Sequence, residues 1–168
     1  MGIKTKWILR AATTALCVFA VGFILYNSVQ PAVESAAQSS RIVEMVQRAV
    51  AVFAPHSSIV TATGEEYRRL HEVIRTLAHF SEYALLGALG GWCCLSYTRQ
   101  KSFYAIPMVG LTAVAVLDEC LQHFTPGRSM QWVDLLVDVG GGACGFAFSL
   151  LLVWLVVKIK KRRKYETG

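Results

Sequence analysis

Apolar residues in this chain come in four long blocks, not at the short helix or strand periods of a soluble domain. Residues 7–29 hold a single charge, Arg10, near their start. Residues 77–97 hold Glu82, with His79 the only other ionisable group besides Tyr and Cys. Residues 103–124 are free of charge until Asp118 and Glu119, and residues 132–157 carry only Asp134, Asp138 and no other charge. Each block is about the ~20 residues that a helix needs to cross a hydrocarbon core. Lipid offers peptide groups no hydrogen-bond partner, so such blocks are expected to be helices. The pattern predicts an all-α chain, a transmembrane four-helix bundle.

Between the first two blocks, Ile42, Val46, Ala49, Val50 and Phe53 recur at spacings of three and four. That spacing predicts an outer amphipathic helix, on the membrane surface or packed on the bundle. Thr63 and Glu66 have the spacing of a capping box. Tyr67, Leu70, Ile74 and Leu77 then carry an apolar stripe into the second span without a breaker. The short connection 125–131, with Pro126–Gly127, predicts that spans three and four are neighbours. Gly87 with Gly91, and Gly141 with Gly145, stand four apart, a spacing that lets helix backbones approach closely. The expected organisation is a cytoplasmic N-terminus and first anchor (1–29), an extracytoplasmic helical segment (30–75), a three-span core (76–157) and a basic tail (158–168). The first block exceeds the roughly 7–15 apolar residues of a signal peptide, which favours an uncleaved anchor.

Charge adds sidedness. All seven Lys, with Arg10, Arg99, Arg162 and Arg163, fall at the termini or after the second span, against one acid there, Glu166. Six Arg and ten acids lie on the other side. Basic residues collect in cytoplasmic loops, so both termini are expected in the cytoplasm of a multi-pass protein. The basic tail suits anionic lipid, and no folded reader accompanies it to suggest nucleic acid. Cys17, Cys93, Cys94, Cys120 and Cys144 all fall inside spans with no CxxC pair, and read as packed thiols.

That orientation brings polar residues of three spans to one depth at the outer face. Arg75, His79, Glu82 and Tyr83 share one helix stripe. Asp118 and Gln122 share another, beside Glu119, and Asp134 and Asp138 lead into the Gly141–Gly145 face. Ionisable groups at membrane depth cost roughly 2.5–3.5 kcal/mol each on insertion scales, so they imply partners or a function. One reading is a structural network of carboxylates bonded to Tyr83, Gln122 and helix N-termini. Yet the five acids Glu82, Asp118, Glu119, Asp134 and Asp138 face only two permanent cations, Arg75 and Arg128. Some acids hold protons, or a metal ion or cationic group fills the site. Glu82, Asp118, Asp134 and Asp138 are the candidate ligands for a divalent ion: Mg²⁺, Ca²⁺ or Mn²⁺, or Zn²⁺ with one His. The fork of Arg128, after a Pro–Gly turn, suits a phosphate or carboxylate headgroup.

At these residues the chain resembles the VanZ-like family of bacterial membrane proteins. The matching stretches are Arg75-x3-His79-Phe80-x-Glu82-Tyr83, Asp118-Glu119-x2-Gln122, Pro126-Gly127-Arg128 and Asp134-x3-Asp138-x2-Gly141-x3-Gly145. They cover roughly residues 70–155, to which the first span adds little. The resemblance implies a cell-envelope protein linked to glycopeptide resistance, specifically teicoplanin, through lowered antibiotic binding at the cell surface. It supplies no settled reaction. Three function classes follow. An active site on a lipid or lipid-linked cell-wall precursor would use His79 or Glu119 as base beside Asp118 and Asp138, with Arg128, Arg75, Tyr83 and Gln122 holding substrate. A binding pocket would hold a lipid headgroup or partner without chemistry. A proton relay is disfavoured, since transport sites lie near the midplane between repeats.

Overall fold

The apolar blocks all fold as helices. A computed structural model describes residues 2–98 and 100–166, with side chains through Arg163. Arg99 and the side chains of Lys164 and Glu166, all used in the charge count, lie outside the described residues. In chain order the helices are α1 (Ile3–Ser28), α2 (Ala32–Phe53), the single turn α3 (Ser58–Thr61), α4 (Gly64–Tyr97), α5 (Ala105–Phe124) and α6 (Trp132–Glu166). A 3₁₀ turn, Lys101–Tyr104, leads into α5. No strand occurs among the described residues. By length and composition, three stretches can cross a membrane: Ile3–Ser28, Lys101–Phe124 and Trp132–Arg163.

The second block is the inner portion of α4, the helix against which α1, α5 and α6 all pack. As expected, it continues unbroken from the polar segment before it, so α4 is 34 residues long and reaches about 50 Å. Its first turns carry exposed ladders such as Arg68–Glu65 at 2.8 Å and Arg68–Glu72 at 3.8 Å. The helix does begin beside Thr63, but the expected capping box does not form: the Thr63 hydroxyl accepts no hydrogen bond. Gly64 sits at φ +56, a left-handed entry that turns the preceding chain away from the geometry a capping box needs.

The glycines explain why α4 and α6 are the closest pair. A Cβ at Gly87 would run into the Gly142 carbonyl, and one at Gly145 into the Ala84 carbonyl. A Cβ at Gly141 would stand 2.5 Å from the Phe80 oxygen. Gly91 faces Ser149, whose hydroxyl returns to the Phe146 carbonyl at 2.7 Å. Without a hydrophobic drive between helices in lipid, this backbone contact is what holds such a pair. Neighbouring α5 and α6 follow from their short connection, as expected.

That connection also fastens the far ends of α1 and α2. Thr125 Oγ1 donates to the Ser28 carbonyl at 3.1 Å, and the Ala32 N–H donates to the Pro126 carbonyl at 3.2 Å. Gly127, at φ +76, leaves room for the Ala32 methyl. From there α2 crosses α4, with His71 Nε2 3.2 Å from the Ala36 carbonyl. Of the expected apolar stripe of α2, Val46 and Val50 are half-buried, whereas Ile42 and Phe53 are exposed. The register turned onto the bundle passes through Ser39 and Val43, because the clamp at Ala32 fixes the helix's rotation. At the other end of the bundle, Arg10 Nε donates to the Ser96 carbonyl at 3.0 Å and lies 5.0 Å over the Tyr97 ring, closing the C-terminus of α4. The five cysteines are free, but Cys120 and Cys144 are exposed on the bundle's outside, not packed within it.

Candidate functional site

The polar stripes of α4, α5 and α6 do converge, at the end of the bundle where α1 meets α2. Asp118 is their hub. Tyr83 Oη donates to its Oδ2 at 2.9 Å, and Gln122 Nε2 donates to its Oδ1 at 2.9 Å. Ser28 Oγ also donates to Oδ1. Asp118, Glu119, Gln122, Tyr83 and Asp138 are all buried, and each is at most 2% exposed. Burial at this depth requires hydrogen-bond partners, and the three donors on Asp118 supply them.

The other acids are paired off separately. Asp134 Oδ2 lies 3.3 Å from Arg75 Nη2, and Glu82 Oε1 accepts from Asn27 Nδ2 at 3.1 Å. Glu119 Oε2 accepts the Gln131 N–H at 2.9 Å, one residue before α6 begins. A carboxylate at that point meets free N–H groups and the positive end of the helix dipole. His79 Nδ1 faces Asp138 Oδ1 at 3.5 Å, yet neither atom has a hydrogen-bond partner. The Asp138 Oδ2 is likewise unpartnered.

A cavity of about 240 Å³ opens beside the hub. It is walled by Asn27 and Ser28 of α1, Ser35 and Ser39 of α2, and His79 and Glu82 of α4, with Asp118 and Gln122 at its floor and Arg75 and Arg128 at its rim. A smaller space of about 110 Å³, also lined by Arg75 and Arg128, adjoins His71 and Gly127. Arg128 Nη1 reaches the Ser28 carbonyl at 3.5 Å. Its own burial, and next the Arg75 charge, lower the Arg128 pKa. Two guanidinium groups held close together and partly out of water make an anion welcome between them.

Of the residues singled out from the sequence, His79, Glu82, Asp118, Gln122, Arg75 and Arg128 border this cavity. Tyr83 reaches it only through Asp118. Glu119 and Asp134 turn elsewhere, to Gln131 and Arg75. Asp138 stands behind His79. For the four suggested metal ligands, the structure brings only Asp118 and Asp138 together, and with His79: one ligand atom from each lies within 4.8 Å of the others. Glu82 and Asp134 are drawn off by Asn27 and Arg75. His123 is exposed against Phe124, away from the cavity. Asn27 and Ser28 were not legible as site residues. A polar pair at the end of an apolar block is common at any membrane boundary, and only the turn clamp puts it over Asp118.

A membrane protein built as a helical bundle, with a polar cavity at one end, is the class this architecture defines. The chain belongs to the VanZ/LLP1 family, whose model matches residues 13–155 of the 168. No curated protein and no solved structure matches the chain. The family match begins well before the motifs of α4, taking in α1 from residue 13 onward and all of α2. The first span, expected to add little, therefore belongs to the shared unit, consistent with the hydrogen bonds that Asn27 and Ser28 send into the site.

Proposed function

We propose that the cavity binds the phosphate-bearing headgroup of a membrane lipid or lipid-linked cell-wall precursor at the outer face of the bacterial membrane, and thereby lowers glycopeptide binding there. In this reading α4 supplies the second of four spans in a multi-pass bundle with both termini cytoplasmic. The basic tail and the Arg10 end then face the inner leaflet. The observation that carries the proposal is the cavity's two-sided chemistry: Arg75 and Arg128 at the rim, His79 and buried carboxylates below. A phosphate at the rim gains two cations, and a water between it and His79 attacks phosphorus while His79 takes the water's proton. The P–O ester bond breaks, and the alcohol oxygen leaves with a proton from solvent. His79 acts as the base, with Asp138 behind it to hold the imidazolium that forms. Glu119 is a positioning residue here, fixing the start of α6.

A non-enzymatic binding role is the second reading. The hydrogen bonds that Tyr83, Gln122 and Ser28 give Asp118 favour it, because a carboxylate held by three donors is poorly placed to take up a proton.

The test is fluorescent teicoplanin binding to intact cells of a susceptible bacterial host expressing each variant, with membrane levels of the protein measured in parallel. The intact chain should lower binding, and Arg128→Ala should abolish the effect at equal expression. His79→Ala separates the readings: loss of effect with headgroup binding to anionic vesicles retained indicates chemistry, and full retention indicates binding alone. Unaltered teicoplanin binding by the well-expressed intact chain would overturn the proposal.

A further inference from the structure

Asp138 is fully buried, and both of its oxygens lack a hydrogen-bond partner. Every other acid of the cluster has at least one: Asp118 has three donors, Glu82 has Asn27, Glu119 has Gln131 and Asp134 has Arg75. A buried carboxylate with no hydrogen bond is costly, and native structures keep one only for a reason; what faces Asp138 at ion-pair distance is the His79 imidazole. His79 Nδ1, which faces it, is also buried and unpartnered. The two atoms stand 3.5 Å apart, outside hydrogen-bond geometry. Bonds of about 2.1 Å place any two ligand atoms of a tetrahedral ion about 3.4 Å apart. One ligand atom from each of His79, Asp118 and Asp138 lies within 4.8 Å of the other two, so a shift of about 1 Å would complete the set.

We infer that His79, Asp118 and Asp138 form a binding site for one divalent transition ion, Zn²⁺ or Mn²⁺, with its open position toward the cavity. One imidazole and two carboxylates suit these ions better than Ca²⁺, which takes six to eight oxygens. Tyr83 and Gln122, bonded to the Asp118 oxygens, are the outer partners that orient a ligand carboxylate. His79 and Asp118 line the cavity, so an ion there would meet whatever the rim arginines hold. The inference deepens the headgroup reading, and rests on it only for what the ion would act upon; with an ion bound, His79 is a ligand, and the ion in place of the imidazole would activate the water.

The experiment uses the full chain in lipid nanodiscs, without any headgroup ligand. The protein is stripped with chelator, reloaded with Zn²⁺, Mn²⁺ or Co²⁺, desalted and analysed for bound metal. One equivalent is expected. Asp138→Asn, which keeps the side chain's shape, should weaken binding roughly tenfold or more, whereas Asp134→Asn should leave it unchanged. Bound Co²⁺ should show the intense visible absorption of a four-coordinate site with a nitrogen ligand, measured on the intact sequence so that no variant need fold. Failure to bind below the millimolar range, equal binding in Asp138→Asn, or a Co²⁺ spectrum of the fully hydrated ion would each overturn the site. Arg128→Ala should still bind metal while losing anionic vesicles. Failure of the metal site and failure of the headgroup reading are thus seen separately.

Discussion

Gly141 tests whether backbone contact between α4 and α6 holds the polar end together. A Cβ at this position would stand 2.5 Å from the Phe80 oxygen and 3.2 Å from the Phe80 Cα and carbonyl carbon. Those are backbone atoms of a rigid helix, so no side chain can swing aside. Gly141→Ala must therefore push α4 and α6 apart locally by somewhat under 1 Å to restore ordinary contact. Overpacking of this kind costs about 1–3 kcal/mol. Gly140, one residue away, has nothing within 4 Å of an added Cβ. Gly140→Ala should be neutral or favourable, since alanine is the better helix former by about 1 kcal/mol. At roughly 2–4 °C per kcal/mol for a chain of this size, Gly141→Ala is expected to lower Tm by about 2–12 °C and Gly140→Ala to leave it level or raise it. Thermal unfolding in one detergent, followed by loss of the monodisperse chromatographic peak, measures both. Because Asp138 is three residues before Gly141 on α6 and His79 adjoins Phe80, the same substitution should also loosen the His79–Asp138 approach. Equal Tm values for the two alanine variants would refute the close-contact account.

Removing the Tyr83 hydroxyl from Asp118, with Tyr83→Phe, leaves a buried carboxylate oxygen short of a donor and should cost about 1–3 kcal/mol. Chemical denaturation in mixed micelles measures it, and an unchanged midpoint would mean that Asp118 is not the hub. At the opposite end, Arg10→Ala loses the bond to the Ser96 carbonyl and the contact over Tyr97. Its cost should be smaller, about 0.5–1.5 kcal/mol, and hydrogen exchange should rise in the last turn of α4 while the cavity residues stay protected.

The sequence by itself determined that the chain is helical and built for a membrane, because hydropathy is a property of consecutive residues and lipid permits little else. It also determined which residues share a helix face. Asp118 and Gln122 meet at i,i+4 as their spacing requires, and the glycine pairs of α4 and α6 lie where close approach was expected.

Which acid meets which partner was decided only by the tertiary structure. Helical periodicity fixes direction around one axis and says nothing of the rotation or register between axes. Counting charges left five acids against two permanent cations. The fold meets most of that surplus with neutral donors brought from far along the chain: Ser28 to Asp118, Asn27 to Glu82, and the Gln131 N–H to Glu119. Those partners come from α1 and from the turn that clamps it, regions whose own sequence carries little signal. What is left is Asp138, buried opposite His79 without a hydrogen bond, because the glycine contact that draws α4 onto α6 sets their spacing by backbone and not by side-chain pairing.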